Sequence, residues 1–495
     1  MEREDTDTQL TAVEATKIPL IAPEPHPRVR RTPRTRPASR LPRGDFRSID
    51  ERLAAGRALR KRCPRGAHAR WRPDRKRAPL EQLRQSDAPR LPFLVPVRHE
   101  RMAESPFAFL RGTPFLMAYD LAHSPVSGAR TQLCGDAHLA NFGLYATPER
   151  HLVFDLNDFD ETLPGPFEWD VKRLAASCVV AARHNGLGRS CARKVARQAV
   201  KAYRRMMRRL ATAGLLEVWS LRVDVTELVH SSRRTAPVAT EAVEKARRHT
   251  SAHAVEKLTE ERGGRRRLAY QPPLLFPLSS VELGISRAEL RHRMNRLTAG
   301  YLTSLDGAMR DLCQRYEWLE WGFKVVGVGS VGLQAYVVRC QGNGPEDPLV
   351  LQVKEAQASV LEPYLGPSGA RGPGERVVVG QRRMQAFSDL FLGWTEVEGM
   401  GSFYVRQLRD MKGSLDVEKM TAGALLDYAD ACGATLARAH ARTGDAALIA
   451  GYLGGSACFD EAVADFAVTY ADQVDEDYAR FLEAHAREAT ARLVH

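Results

Sequence analysis

The chain predicts an α+β protein built from more than one lobe. Its 495 residues, 44% hydrophobic and 7% aromatic, suffice for a large buried core, and a chain of this length divides into lobes rather than enlarging a single core. Apolar positions recur at helical spacing over 171–213 (interrupted near Asn185-Gly186-Leu187-Gly188), 286–316, 421–442 and 458–494. Short β-rich runs fall into two separate groups. One comprises 131–133 and 151–154, and the other comprises 333–340, 349–354 and 402–408.

From the N-terminus, the first fifty residues have the composition of a disordered tail, and 23–43 is dense in Pro and Arg. A short helix is expected from near Ile49, lined by Arg57, Arg60, Lys61 and Arg62. Much of the net charge of +13 lies here. It allows weak contact with nucleic acid or an anionic surface, although no aromatic interleaving supports specific recognition. No apolar run approaches the roughly twenty residues of a membrane helix, so no transmembrane segment is expected. The acidic start lacks an apolar leader, so the expected location is cytoplasmic. Eight scattered cysteines without a C-x-x-C pair predict reduced thiols rather than a zinc site or disulfide framework. Cys134 reads as a small core residue.

In the helical stretches, Arg204, Arg205, Arg208 and Arg209 are expected on a solvent face. Residues 235–267 are polar and basic, with Gly263-Gly264 near the end, and read as an exposed helical insertion or lid. Ser286 followed by Glu289 is a capping-box pattern opening the next helix.

Chemistry concentrates in Leu133-Cys134-Gly135-Asp136-Ala137-His138-Leu139-Ala140-Asn141, followed by Leu152-Val153-Phe154-Asp155-Leu156-Asn157-Asp158. Asp, His and Asn are common in turns. Here, however, they cluster at the ends of apolar runs, with Thr147-Pro148-Glu149-Arg150 as a hairpin turn. Phosphoryl transfer needs a carboxylate to orient the attacking hydroxyl and an Asn and an Asp to hold Mg²⁺ against the phosphates. Asp136, Asn141 and Asp155 supply that set. Asp158 and Asp160 are reserve metal ligands, because the acidic run leaves the choice open. His138 is expected to shape the loop, and Arg111 and Arg173 are candidates for phosphate contact or loop anchoring.

A second constellation lies downstream. Gly327-Val328-Gly329-Ser330-Val331-Gly332 fits G-x-G-x-x-G. A dinucleotide-binding loop must open a helix. Here β-formers follow, so strand, glycine loop and strand are expected, with Gly327, Gly329, Ser330 and Gly332 covering phosphates. An apolar run then ends in Lys354, where a phosphate-binding Lys would sit. Glu375, on an expected helix over 375–385, is the candidate partner of that Lys, with Glu355 and Glu362 as alternatives. Residues 402–408 read as a strand leading into 409–413, a candidate inter-lobe hinge.

Gly135-Asp136-x-His138-x-x-Asn141 resembles the catalytic loop of aminoglycoside and choline phosphotransferases, which have the protein-kinase-like fold. Cys134 stands where that loop usually begins with His. Asp155 resembles the second magnesium ligand, without the Gly that often follows it. Trp169-Asp170-Val171 resembles the structural Asp that buttresses the loop. The resemblance implies a two-lobed kinase-like fold using ATP and Mg²⁺. Because Asp136 and Asp155 precede Gly327 and Lys354, the order implies a circular permutation, which is tolerable where chain ends meet at exposed loops.

The expected organisation is a tail over 1–50, a catalytic-loop lobe over 51–320, a nucleotide lobe over 321–415 and C-terminal helices over 416–495. At closer range, Ser105-Pro106-Phe107-Ala108-Phe109-Leu110-Arg111-Gly112, the 134–141 loop, 154–161, 327–332 and Gln352-Val353-Lys354-Glu355-Ala356 resemble a bacterial domain-of-unknown-function 2252 family, from about residue 52 to near the C-terminus. That resemblance implies no activity. The expected function is phosphoryl transfer from a nucleotide to a small-molecule, protein or nucleic-acid hydroxyl. The rivals are a metal-dependent phosphoesterase, a catalytically idle nucleotide-binding module, and transfer of AMP in place of phosphate.

Overall fold

A computed structural model describes residues 47–225, 236–280, 285–325, 327, 329–408 and 411–494. The chain is mixed α+β. The tail expected over 1–50 falls mostly outside the described residues. Within it, Ser48 caps a helix at Ile49–Arg62, accepting from Glu51 N while Glu51 returns a bond to Ser48 N.

The strands in chain order are β1 (Arg130–Leu133), β2 (Phe142–Ala146), β3 (Leu152–Leu156), β4 (Leu163–Pro166), β5 (Val223–Asp224), β6 (Thr259–Arg262), β7 (Arg265–Leu268), β8 (Leu275–Pro277), β9 (Glu317–Lys324), β10 (Ala335–Gln341), β11 (Pro348–Ala356), β12 (Gly393–Val397) and β13 (Gly401–Gln407). Six of them form one antiparallel sheet in the order β12-β13-β11-β10-β9-β8. Helices Arg287–Ser304 and Pro373–Met384 pack against it. Its core joins Phe276, Tyr301, Tyr336, Leu351 and Phe403. Residues from about 276 onward therefore belong with the sheet, earlier in the chain than residue 321.

The helical part packs Glu168–His184, Arg189–Leu210, Ala422–Ala441 and Cys458–Val494 into a separate, larger core. Two of these helices approach so closely that a Cβ on Gly433 would lie 2.0 Å from Ala199 O. Ser286 caps the helix Arg287–Ser304, but the one helix expected over 286–316 breaks at the extended Leu305, and Asp306 caps a second helix, Gly307–Gln314. The expected 235–267 insertion forms helices Ala236–Arg248 and Ser251–Leu258 followed by the β6–β7 hairpin. The solvent-face expectation for the arginines needs one correction. Arg205, Arg208 and Arg209 are exposed, but Arg204 is buried and makes a two-pronged pair with Asp460 at 2.7–3.1 Å. Arg204 shares the inward face of its helix with Val200, Tyr203 and Met207, and the buried Asp460 carboxylate gives its charge a partner.

β2 and β3 form a hairpin through the expected turn, with Arg150 in the left-handed region at φ 68°. β1 pairs with β4 instead. These short strands carry the polar loops described next.

Candidate functional site

The loop that follows β1 is held from below by one carboxylate. Asp170, in the first turn of helix Glu168–His184, accepts from Cys134 N at 2.8 Å and Gly135 N at 3.1 Å. His440 Nε2 lies 3.1 Å from the same carboxylate, and its Nδ1 lies 2.9 Å from Tyr203 Oη. Gly135 is required here. Its φ is 85°, and a Cβ would lie 2.1 Å from Glu161 O. Cys134 is fully buried, and burial followed by the Asp170 charge pushes its thiol well up. It is an inert core residue rather than a nucleophile.

Asp136 projects from this loop with a partly open side chain. Arg173, one turn along the same helix as Asp170, donates Nε to Asp136 Oδ1 at 2.7 Å and Nη2 to Leu110 O at 2.8 Å. Asp136 Oδ2 faces His138 Nε2 at 3.5 Å. Burial pushes the His138 imidazole down to about 3, against the pull of Asp136, so the ring is neutral at pH 7.

Asn141 spends its whole side chain on backbone. Its Nδ2 donates to Asp136 O at 3.1 Å and Asp158 O at 3.0 Å, while its Oδ1 accepts from Asn157 N at 3.3 Å and Asp158 N at 2.6 Å. It fastens the 134–141 loop to the acidic loop after β3. It lines the cleft, but the oxygen that the ligand expectation would use is shared by two backbone N–H groups.

Asp155 also departs from expectation. It is buried within β3 and pairs with the buried Arg438, and it accepts from Ala386 N at 2.9 Å and Tyr145 Oη at 3.3 Å. With these partners its carboxylate is not among the groups that line the cleft. Asp158 and Asp160 line the cleft instead, with Asn157. Burial and then Asp160 hold the Asp158 carboxyl above its ordinary range. Burial also opposes ionisation of Asp160, but Lys354 and Tyr404 outweigh it and hold that carboxyl low.

The glycine loop joins β9 to β10, so strand, loop and strand follow in the expected order. Gly327, Gly329 and Ser330 line the same cleft, and Gly332 lies just beyond, its carbonyl accepting from Leu91 N at 2.8 Å. Residues 326 and 328 are not among those described. Lys354, buried near the end of β11, meets Asp160 Oδ2 at 2.6 Å. Ser330 Oγ donates to the same oxygen at 3.2 Å, and Tyr404 Oη donates to Asp160 Oδ1 at 2.7 Å. Asp160 thus gathers the glycine loop and two sheet strands. None of the three candidate glutamates pairs with Lys354. Glu375 accepts from Arg371 N at 2.6 Å, Glu355 accepts from Gln334 N at 2.9 Å, and Glu362 faces Arg376 at 3.6 Å. The helix bearing Glu375 forms as expected, but the Glu sits half-buried in its first turn, beside the exposed Arg371.

Together these groups line a cleft of about 750 Å³. Asp136, Asp158 and Asp160 make an acidic floor. Lys245 and His249, from the 235–267 region, and Lys412 add donors at another side. Burial, and then Arg406, pushes the Lys412 ammonium down to about 7. Residues 409–410 of the candidate hinge lie outside the described residues.

A hard divalent cation fits this donor set to a limited extent. Asp158 brings a carboxylate, and Asn157 Oδ1 is a buried oxygen that lacks a partner among the described residues. Mg²⁺ takes few protein ligands and keeps the rest for water and phosphate. Among the described residues, no three His, Cys, Asp or Glu side chains cluster as an all-protein metal cage.

Sequence reasoning missed Tyr404 and Arg406 and treated Asp160 only as a reserve. A signal existed for Asp160, which shares one side of Asp158-Phe159-Asp160 with Asp158 while Phe159 is buried. Tyr404 lies directly across from Lys354, a pairing that only the β11–β13 register reveals.

Among the described residues, no helix is long and apolar enough to cross a membrane. No curated protein and no solved structure matches the chain. A family model described as "Uncharacterized protein conserved in bacteria" (DUF2252) matches residues 90–484, and the chain belongs to that family.

Proposed function

We propose that this chain is an ATP- and Mg²⁺-dependent phosphotransferase acting on a hydroxyl, with a two-lobed kinase-like architecture in circularly permuted order. One observation carries the reading. Lys354 and Ser330, from the glycine-loop sheet, reach Asp160 in the same cleft that Asp136 and Asp158 line. Two constellations some two hundred positions apart (Lys354 and Asp160 are separated by 194) converge on one site. An accidental motif in either segment would have no reason to meet the other.

In this reading Asp136 orients the acceptor hydroxyl and takes its proton, with Arg173 fixing the carboxylate. Lys354 and the glycine loop hold the phosphates. Asp158, with Asn157, would hold the metal in place of Asp155, and bound Mg²⁺ would offset charge on the phosphate oxygens. Asn141 keeps the two loops in register. His138, being neutral and buried, shapes the loop. A two-metal phosphoesterase is less well supported, because such a site needs a cluster of His and carboxylate donors, and none occurs among the described residues.

The test is a thermal-shift titration with Mg·ATP on the wild type, Lys354→Ala and Asp158→Ala. Ligand at a hundred times its dissociation constant stabilises by about 2.7 kcal/mol. The expected result is a rise in wild-type melting temperature that both variants weaken. No wild-type rise would remove the reading. The mass added to a modified acceptor separates phosphoryl from AMP transfer.

A further inference from the structure

The arginines that line the cleft divide by what they already hold. Arg90 donates to Ser86 O at 3.0 Å and to Val331 O. Arg98 pairs with Asp87 and donates to Gly112 O at 2.7 Å. Arg406 donates to Gln352 Oε1 at 3.2 Å and Asn157 O at 3.0 Å. Arg111 differs. Among the described residues its guanidinium meets no carboxylate and no hydrogen-bond acceptor, and its Nε is buried without a partner. It rests over the Phe107 ring, 5.9 Å from the centroid. An unpaired guanidinium with a buried N–H is costly unless something arrives to accept from it.

Its position says what would arrive. Phe107 also packs edge-on against His138 of the 134–141 loop, at 6.4 Å between ring centroids. On the other side, the Arg111 backbone carbonyl is in ordinary contact range of the glycine loop, 3.7 Å from where a Cβ on Gly329 would lie. Arg111 therefore stands where the loop bearing the proposed base meets the loop proposed to cover the phosphates. A phosphoryl group moving between those loops passes that point.

Resting on the phosphotransferase reading, we propose that Arg111 is a catalytic residue that binds the phosphoryl group in flight, an arginine supplied by the chain itself. The acceptor oxygen bonds to the γ-phosphorus as its proton passes to Asp136. The bond from that phosphorus to the β–γ bridging oxygen breaks, and its electron pair leaves with ADP. Through this passage the Arg111 fork donates N–H groups to the equatorial oxygens, where charge is spread. Arg173, committed to Asp136 and Leu110 O, anchors the loop and is not available for this task.

Fluoroaluminate with Mg·ADP mimics the planar group in flight and needs no known acceptor. Calorimetric titration would compare Mg·ADP binding with and without fluoroaluminate in the wild type, Arg111→Met and Arg111→Lys. The expected result is a wild-type gain of roughly a hundredfold from fluoroaluminate, lost in Arg111→Met and partly kept in Arg111→Lys. Mg·ADP affinity alone should stay nearly unchanged in both variants, which also shows that they fold. A full gain in Arg111→Met would overturn the proposal and point to Arg111 as a contact for an anionic acceptor. Mg·ADP binding with no gain in the wild type would overturn it as well. No wild-type binding of Mg·ADP would instead remove the phosphotransferase reading beneath it.

Discussion

Lys354 Nζ lies 2.6 Å from Asp160 Oδ2, and this single contact ties the glycine-loop sheet to the acidic loop after β3. Burial disfavours a lone ammonium at that place, and Asp160 reverses the effect and raises the Lys354 pKa. Removing one member of such a pair strands the other charge. Lys354→Met should therefore lose about 3 kcal/mol in urea unfolding. The double variant Lys354→Met, Asp160→Asn should recover part of that loss, because no uncompensated charge remains. Equal losses in single and double variants would mean that the contact matters for packing rather than charge.

Asp155 and Asp158 should separate cleanly. Asp155 is locked to Arg438, with both side chains only 2% exposed. Asp155→Asn should cost on the order of 3 kcal/mol and leave the Mg²⁺ dependence of nucleotide binding unchanged. Asp158→Asn should do the reverse. It relieves a half-buried carboxylate beside Asp160, so stability should hold or rise, while Mg²⁺ no longer strengthens nucleotide binding. Melting curves and Mg²⁺ titrations at fixed ATP check both. Loss of Mg²⁺ dependence in Asp155→Asn alone would restore the original assignment.

That exchange marks the limit of what the sequence can tell. The motif Gly135-Asp136-x-His138-x-x-Asn141 and the order of glycine loop, strand and Lys354 are local patterns, so they were legible. The choice between Asp155 and Asp158 was not, because it turns on where β3 ends and which way its last side chains face. Burial of Arg204 was hidden for a similar reason. Its partner Asp460 lies 256 positions away, and a helical face reads as solvated until a packed neighbour is known. Pairing of Lys354 with Asp160, rather than with a helix Glu, depends on how the two parts of the chain dock.

Glu161 predicts a pH dependence. Burial raises its carboxyl to about 7 from an ordinary 4.5, although Arg376 and the N–H of Val360 pull the other way. A folded-state value above the unfolded one means that the folded protein binds the proton more tightly. The stabilisation is then fully present below about pH 4.5 and is lost as pH rises through about 7. Glu161→Gln carries no such proton. Its stability relative to wild type should climb across that window and level off on the order of 3 kcal/mol higher above it. Urea midpoints for both proteins from pH 4 to 8 measure the difference, and parallel curves would refute it.

Asn141 offers the sharpest test of how the site is held together. Its side chain satisfies backbone groups of Asp136, Asn157 and Asp158 just past the end of the β2–β3 ladder, where Asn157 N also donates to Asn141 O at 2.9 Å. Asn141→Ala leaves Asp158 N, Asp136 O and Asp158 O without their side-chain partner, while Asn157 N keeps Asn141 O at 2.9 Å, and each buried orphan costs about 1–3 kcal/mol. A total loss of roughly 3 kcal/mol is expected, with faster amide exchange at Asp158, which loses its acceptor, and little change at Asn157, which keeps Asn141 O. Asn141→Asp keeps the acceptor for those two N–H groups but has no N–H to give to Asp136 O and Asp158 O. It should keep the exchange protection at Asp158 while still losing stability. If Asn141 instead worked as an open metal ligand, Asn141→Asp would fold normally and bind Mg²⁺ more tightly. Hydrogen exchange and Mg²⁺ titration on the two variants distinguish a brace from a ligand.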